Sequence, residues 1–237
     1  MKKRISIIGG GVSGLGAALL ASSKNNHVLL SDKNQLNNKT KEILKLNNIN
    51  FEEGDHSDDL FASDLVIKSP GISESSLIIK QIRNKGIPII SEIEYGFANT
   101  NSKIIAVTGT NGKTTTCLML KHIFNRTSLS VLLAGNIGNS LCYELSLNNN
   151  YDIIILEVSS FQLENTKKFQ PNISIILNIS DDHLDRYSNF DEYRMTKHMI
   201  TKNQNKKDFL IYNYDDKYLK DLKTNAHKIP ISLQTEL

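Results

Sequence analysis

The sequence has no tryptophan, two cysteines, four prolines and no apolar run long enough to cross a bilayer. Each shortage excludes something. A membrane span needs roughly 18 or more consecutive apolar residues, and the runs here are strand-length, so no membrane insertion is expected. Cys117 and Cys142 form no CxxC pair and show no metal-like spacing. That argues against a disulfide scaffold or zinc ribbon and for two reduced thiols in a cytoplasmic protein. Charge of one sign is also scarce. The chain has 28 Lys and Arg against 25 Asp and Glu, a net +3, with the two signs interspersed. Such a balance lacks the basic field of a nucleic-acid binder, and no nucleic-acid partner is expected. The start, MKKRISIIGGG, has the basic opening of a secretion signal, but glycines break its apolar run and no cleavage site follows.

What is present is a soluble α/β pattern. With 237 residues, 39% of them hydrophobic, the chain has material for two ordinary domains. RISIIG, HVLLSD, NFEEG, DLVIKSPG and IPII read as strands, alternating with helices over GGVSGLGAALLASSK, KTKEILKLNN and SSLIIKQIRNKG. The stretch IPIISEIEYGF as a whole reads as strand and turn. The polar stretch ANTNSK reads as a linker, which divides the chain into domains 1–98 and 99–237. A second series follows. KIIAVTG, VLLAGN, YDIIILE, PNISIILNIS and KKDFLIYNY read as strands, with helices over NGKTTTCLMLKHIFNR and FDEYRMTKHMITKN. Strands alternating with helices predict parallel sheets covered on both faces.

Ligands of open parallel sheets sit outside the carboxyl ends of the strands. In the second series those ends carry the TGTNGKTTT loop, Asn136, Glu157, Ser159 and His183, which are therefore expected to converge. The loop has the logic of a phosphate cradle. Its glycines let backbone N–H groups face phosphate oxygens, and a helix N-terminus follows. Lys113 would reach the outer phosphates, and the Thr114 hydroxyl would hold Mg²⁺. A strict Walker A pattern needs glycine at Val107, so Gly109-Thr110-Asn111-Gly112-Lys113-Thr114-Thr115 is a variant. Glu157 closes an apolar strand, where a carboxylate needs a metal or a lysine partner. His183 alone reads as loop decoration, and Lys197 as a solvated lysine on a helix. Asp182 and Asp185 read as helix caps, and His198 as lying on another helix face.

A second glycine turn, Gly9-x-Gly11-x-x-Gly14 after the first strand, fits a dinucleotide, with Asp32 at the end of the second strand as a ribose-binding acid. An oxidoreductase would leave Lys113, Glu157 and His183 without a role.

GTNGKTT, LEVSSFQLE at 156–164 and NISDDHLDRY at 178–187, followed by YRMTK, resemble the Mur ligases, and among them the branch that adds D-glutamate. The resemblance runs through nearly the whole chain. It implies an N-terminal Rossmann-like parallel-sheet domain followed by a P-loop ATPase-like α/β central domain. A third, C-terminal domain is implied as well, so the chain is expected to be truncated, with its central domain incomplete. The implied activity is ATP-dependent ligation of D-glutamate to UDP-N-acetylmuramoyl-L-alanine through an acyl phosphate, in peptidoglycan precursor synthesis. ATP would lie on residues 109–115. Two Mg²⁺ ions would be held by Thr114, Glu157, His183 and Lys197, the last carbamylated by CO₂. Catalysis would fall to Lys113, His183 and Lys197. The first glycine turn would hold the UDP-sugar instead of a nicotinamide, through Gly11, Ser13, Asp32, Ser69, Pro70 and Gly71. Asn136, Ser159 and Gln162 would face its sugar and lactoyl-alanine end. A monomer is expected at full length. A sister ligase adding another amino acid, or a truncated binding remnant without catalysis, are the alternatives.

Overall fold

The computed structural model describes residues 2–182 and 186–234. They divide into two compact units. The first comprises residues up to Thr100 together with Asn139–Asn149 and Asn165–Lys167, and the second comprises Asn101–Gly138, Asn150–Glu164 and the chain from Lys168 onward.

In the first unit, strands β1 (Arg4–Ile8), β2 (His27–Asp32), β3 (Asn50–Glu53), β4 (Leu65–Lys68) and β5 (Ile89–Ser91) form one sheet. Its order is β3-β2-β1-β4-β5, and every pairing is parallel. Helices α1 (Val12–Ser23), α2 (Asn38–Leu46) and α3 (Leu77–Asn84) make three of the crossovers, and the connection from β3 to β4 carries a single 3-10 turn at Asp58–Ala62. Strand order reverses between β1 and β4, and the crevice at such a switch point is where doubly wound sheets take their ligands. Ile8, Leu60, Val66, Ile79, Ile82 and Ile89 form one packed core of this unit. SEIEYGF, the end of the stretch expected to be strand and turn, is short helix α4 (Glu92–Phe97). Ser91 caps it by accepting a hydrogen bond from the Glu94 N–H, which satisfies one of the orphan donors that start any helix.

The second unit is built on β6 (Lys103–Thr108), followed by α5 (Lys113–Phe124), β7 (Val131–Gly135), β8 (Ile153–Glu157), α7 (Ser160–Leu163), β9 (Ile173–Ile176), α8 (Phe190–His198), β10 (Phe209–Asn213) and β11 (His227–Ile231), while the chain between β7 and β8 forms helix α6 (Leu141–Leu147). Its sheet is again parallel, in the order β11-β10-β9-β6-β8-β7. β6 is central, and Val107, Ile105, Cys117, Ile155 and Ile175 close a core between the sheet and α5. The fold is thus α/β throughout, as expected.

Besides α4, two more elements differ from the sequence reading. The terminal HKIPI segment, where the sequence pattern predicts no element, is edge strand β11, paired to β10. Pro230 suits an edge, where a missing N–H breaks no second ladder. The other is α6, which went unread and which, although it lies between β7 and β8 in the chain, belongs to the first unit. Its seat is shaped by Gly16. A Cβ there would fall 2.3 Å from the Ser140 Oγ and 2.6 Å from the Tyr143 N, so α1 admits α6 only because that position has no side chain. Glu92, 1% exposed, accepts the Cys142 N–H at 2.6 Å, and burial pushes its carboxyl above the usual range.

Candidate active site

In the second unit the carboxyl ends of β6, β7, β8 and β9 lie side by side, and the phosphate-loop candidate leaves β6 there. Gly112 has φ +82° as the residue before α5, a left-handed conformation that is strained for any residue with a Cβ. The turn it makes leaves Thr114 and Thr115 exposed in the first turn of the helix. The Lys113 ammonium folds back over the loop and donates to the carbonyls of Gly109 at 3.0 Å and Thr110 at 2.9 Å.

Beneath the loop, the buried Glu157 ends β8 and accepts from the Thr114 hydroxyl at 2.8 Å on one oxygen. Its other oxygen accepts from the Asn136 amide at 2.9 Å. The convergence of the loop, Asn136 and Glu157 therefore takes shape, and the carboxylate's partners are a threonine and an asparagine. A hydroxyl and a carboxylate oxygen side by side are a donor pair that hard cations prefer. Among the described residues no group of three His, Cys, Asp or Glu side chains gathers around a common point. A cation here would therefore complete its shell from phosphate and water, which is how Mg²⁺ is commonly held. Both the loop and the oxygen pair fit a Mg²⁺–nucleotide.

Lys197, read from its sequence as a solvated lysine, is 2% exposed. α8 carries its Nζ to the loop, where it donates to the Gly109 carbonyl at 2.9 Å and lies 4.7 Å from the centre of the Tyr193 ring. Burial and the nearby Lys113 charge bring its ammonium down to about 7, against a smaller opposing pull from Asp182. A lysine at that value is largely a neutral amine at mildly alkaline pH, the form that reacts with CO₂ and other electrophiles.

Two residues of this site had no place in the sequence reading. Asn178, just past β9, accepts the Asn111 N–H at 2.9 Å and donates back to the Asn111 carbonyl at 3.1 Å. Fully buried Tyr193 places its hydroxyl 3.1 Å from the Thr110 Oγ1. The signal for Asn178 was its position at a strand's carboxyl end. Tyr193 lies one helical turn before Lys197 and shares its face.

Ser159 and Gln162 bond to each other. The Gln162 Oε1 accepts from the Ser159 N–H at 2.9 Å and from its hydroxyl at 3.1 Å, closing the start of α7. His198 is partly buried, and burial takes its imidazole down to about 4. His183 and Asp185 lie outside the described residues.

In the first unit, Gly11 caps α1 and Ser13 sits half-buried in its first turn. Asp32 is occupied by backbone. One carboxylate oxygen accepts the Gly10 N–H at 2.6 Å and the other the Asn34 N–H at 2.8 Å. It therefore holds the glycine turn in place. The Ser69 hydroxyl donates to the Gly9 carbonyl at 2.9 Å, stitching the β4 exit to the β1 exit. Gly71 stands exposed beyond it, with a half-buried Pro70 between.

Residues 107–235 match the model of the Mur ligase middle domain, and residues 4–78 match that of the MurD N-terminal domain. Two curated relatives are UDP-N-acetylmuramoylalanine--D-glutamate ligases. The one from Christiangramia forsetii is 39% identical over the whole chain and 54% of its own length. The one from Bacteroides thetaiotaomicron is 44% identical over 92% of the chain and 49% of its own. The chain thus spans about half the length of the curated relatives it matches. Among solved structures, the UDP-N-acetylmuramate:L-alanyl-gamma-D-glutamyl-meso-diaminopimelate ligase of Neisseria meningitides shares the fold, with a TM-score of 0.68 at 19% identity, over 97% of this chain and 78% of that one. Those residues 107–235 include the loop, the Thr114–Glu157 pair and Lys197, and with more than half its length matched in this way the chain belongs to the Mur ligase family.

Proposed function

We propose that this chain supplies the nucleotide and UDP-sugar sites for ATP-dependent ligation of D-glutamate to UDP-N-acetylmuramoyl-L-alanine, a cytoplasmic step of peptidoglycan precursor synthesis. The observation that carries the reading is the phosphate loop whose first helical threonine is bonded to a buried strand-end glutamate, in a chain 39% identical to a D-glutamate ligase. Residues Gly109 to Thr115 would hold the ATP phosphates. Thr114 and Glu157 would hold Mg²⁺, which neutralises phosphate charge when bound.

The reaction needs the substrate carboxylate to approach a phosphoryl group of like charge. A carboxylate oxygen attacks the γ-phosphorus, the bond to ADP breaks, and an acyl phosphate forms. The amine of D-glutamate then attacks the acyl carbon, phosphate leaves, and an amide remains. Lys113 would offset the repulsion. Its ammonium rests on two loop carbonyls and would exchange them for phosphate oxygens as negative charge develops. Lys197, buried and poised near neutrality, is the residue for carbamylation, which would convert it into an oxygen ligand for a second Mg²⁺ together with His183. Gly11, Ser13, Asp32 and Ser69 to Gly71 border the crevice of the first unit and would take the UDP-sugar. Of these, Asp32 would act by holding the glycine turn through its two backbone contacts. Asn136, Ser159 and Gln162 would approach the sugar and lactoyl-alanine end, and the protein would work as a monomer.

The test is phosphate release by the purified chain with ATP, Mg²⁺, UDP-N-acetylmuramoyl-L-alanine and D-glutamate, with Lys113→Ala as control. Release that requires both substrates and is lost in the variant supports the ligase. Mg²⁺-dependent ATP binding without release would reduce the reading to a pair of binding sites, and binding of neither ligand would sink it. Release with another amino acid in place of D-glutamate would point to a sister activity.

A further inference from the structure

The last residue of β4 is a lysine that the site described so far does not use. Lys68 is 1% exposed, and its side chain turns back beneath the loop that it introduces. Its Nζ donates to the Ile72 carbonyl at 2.8 Å and pairs with the Glu74 carboxylate at 2.9 Å. Glu74 has further partners. The Arg83 guanidinium, from α3, meets its second oxygen at 2.6 Å, and the Asn165 amide donates to its first at 2.6 Å. Asn165 is itself fixed, since its carbonyl accepts the Ser91 N–H at 3.1 Å. Burial alone would raise the Glu74 carboxyl, but the hydrogen bonds from Asn165, Lys68 and Arg83 outweigh it and hold the group down at about 2.

This network joins the two ends of a single loop, Ser69 to Ser73. Its inner side is bolted to buried charge, while a Cβ placed on Gly71 would meet nothing within 4 Å. Burying an ammonium costs several kcal/mol unless partners repay it, and apolar residues of similar volume often give equal or greater stability. What a buried lysine held by a fully partnered, half-buried carboxylate gives in addition is one fixed geometry. The loop it fixes also carries Ser69, whose hydroxyl ties it to the glycine turn across the crevice.

We propose that Lys68 and Glu74, with Arg83 and Asn165, are positioning residues that pre-set the Ser69–Pro70–Gly71 loop to receive the nucleoside diphosphate of the sugar substrate. The proposal rests on the reading of the first unit as the UDP-sugar site. None of the four residues need touch the ligand. Their effect is to remove the ordering entropy that binding would otherwise have to overcome.

The experiment uses the full chain with Lys68→Met, Glu74→Gln and the double variant. Calorimetric affinities for UDP-N-acetylmuramoyl-L-alanine and for ATP are measured beside hydrogen exchange of residues 69–74. Each single variant is expected to weaken UDP-sugar binding about tenfold, as loss of preorganisation does, and to speed exchange in the loop while leaving ATP affinity unchanged. The double variant is expected to be little worse than either single, because removing both partners leaves no charge buried alone. Unchanged UDP-sugar affinity with faster loop exchange would show a structural role only and overturn the proposal, as would unchanged exchange. A wild-type chain that binds no UDP-sugar, while its loop exchange still responds to the variants, would overturn the reading of the unit and this proposal with it. Should Lys68→Met fail to fold, Arg83→Gln removes one partner from a side chain that is 55% exposed and is read in the same way.

Discussion

At Lys197, burial and amine chemistry favour the same species. Its ammonium is brought from 10.5 to about 7 in the fold, so between those values the unfolded chain binds the extra proton. Stability therefore rises as pH increases through that interval, and below about 7 the cost of a buried charge is fully present. Thermal midpoints measured from pH 7 to 10 should climb in the wild type, and Lys197→Met should flatten the climb. The same neutral amine should take up labelled bicarbonate and give a carbamate signal by NMR that Lys197→Met lacks. Glu157→Gln tests the neighbouring pair. The amide keeps the size but loses the charge beside Thr114, and Mg²⁺-dependent ATP affinity should fall at least about tenfold, with little change in ATP binding measured without metal. Glu74 behaves in the opposite sense to Lys197. Its depressed carboxyl gives stability that is present above about 4.5 and is lost as pH falls toward 2. Acid unfolding followed in Glu74→Gln should lack that component.

Among the elements, the seat of α6 on α1 is the most sharply defined contact. Gly16→Ala forces a methyl toward the Ser140 Oγ and Tyr143 N. Such overpacking typically destabilises by about 1–3 kcal/mol, which should appear as a lower thermal midpoint with ATP affinity retained. The strands that carry the site were legible because each is an apolar run closed by a polar or glycine residue, as IIILE and VLLAG are. α6 was not legible. It has seven residues, with Leu141, Cys142 and Leu145 buried, too short a stretch for helical periodicity to declare itself. β11 was hidden by Pro230, which reads as a breaker unless the strand is known to lie at an edge. α4 was hidden because its glutamates look solvent-facing, whereas Glu92 and Glu94 are both buried. Lys197 illustrates the limit at site level. Nothing in YRMTKHMI announces a buried ammonium, since the carbonyl that receives it, that of Gly109, lies far away in the chain. The glycine loop and Glu157, by contrast, carry local signals.

For the whole molecule, two sheets with separate cores imply two separable responses to ligand. A ligand stabilises the unit whose folded form binds it. Calorimetry of the wild-type chain should therefore show Mg²⁺–ATP raising the transition of one unit and UDP-N-acetylmuramoyl-L-alanine that of the other. A single transition shifted equally by both would count against separate sites. The sequence reading divided the chain once, after residue 98, whereas the units exchange two later segments, Asn139–Asn149 and Asn165–Lys167. A linear division cannot express that, because membership in a unit is decided by packing and not by order along the chain.

That exchange also sets a schedule on the ribosome. The five-stranded sheet is synthesised by Ser91, but α6 and the Asn165 segment that complete its unit come later. At about 5–20 residues per second, they emerge seconds afterwards. Until then α1 waits with the surface around Gly16 uncovered, and Glu74 lacks the amide of Asn165. The unit whose sheet is made first is not completed first, because two segments that belong to it are translated later.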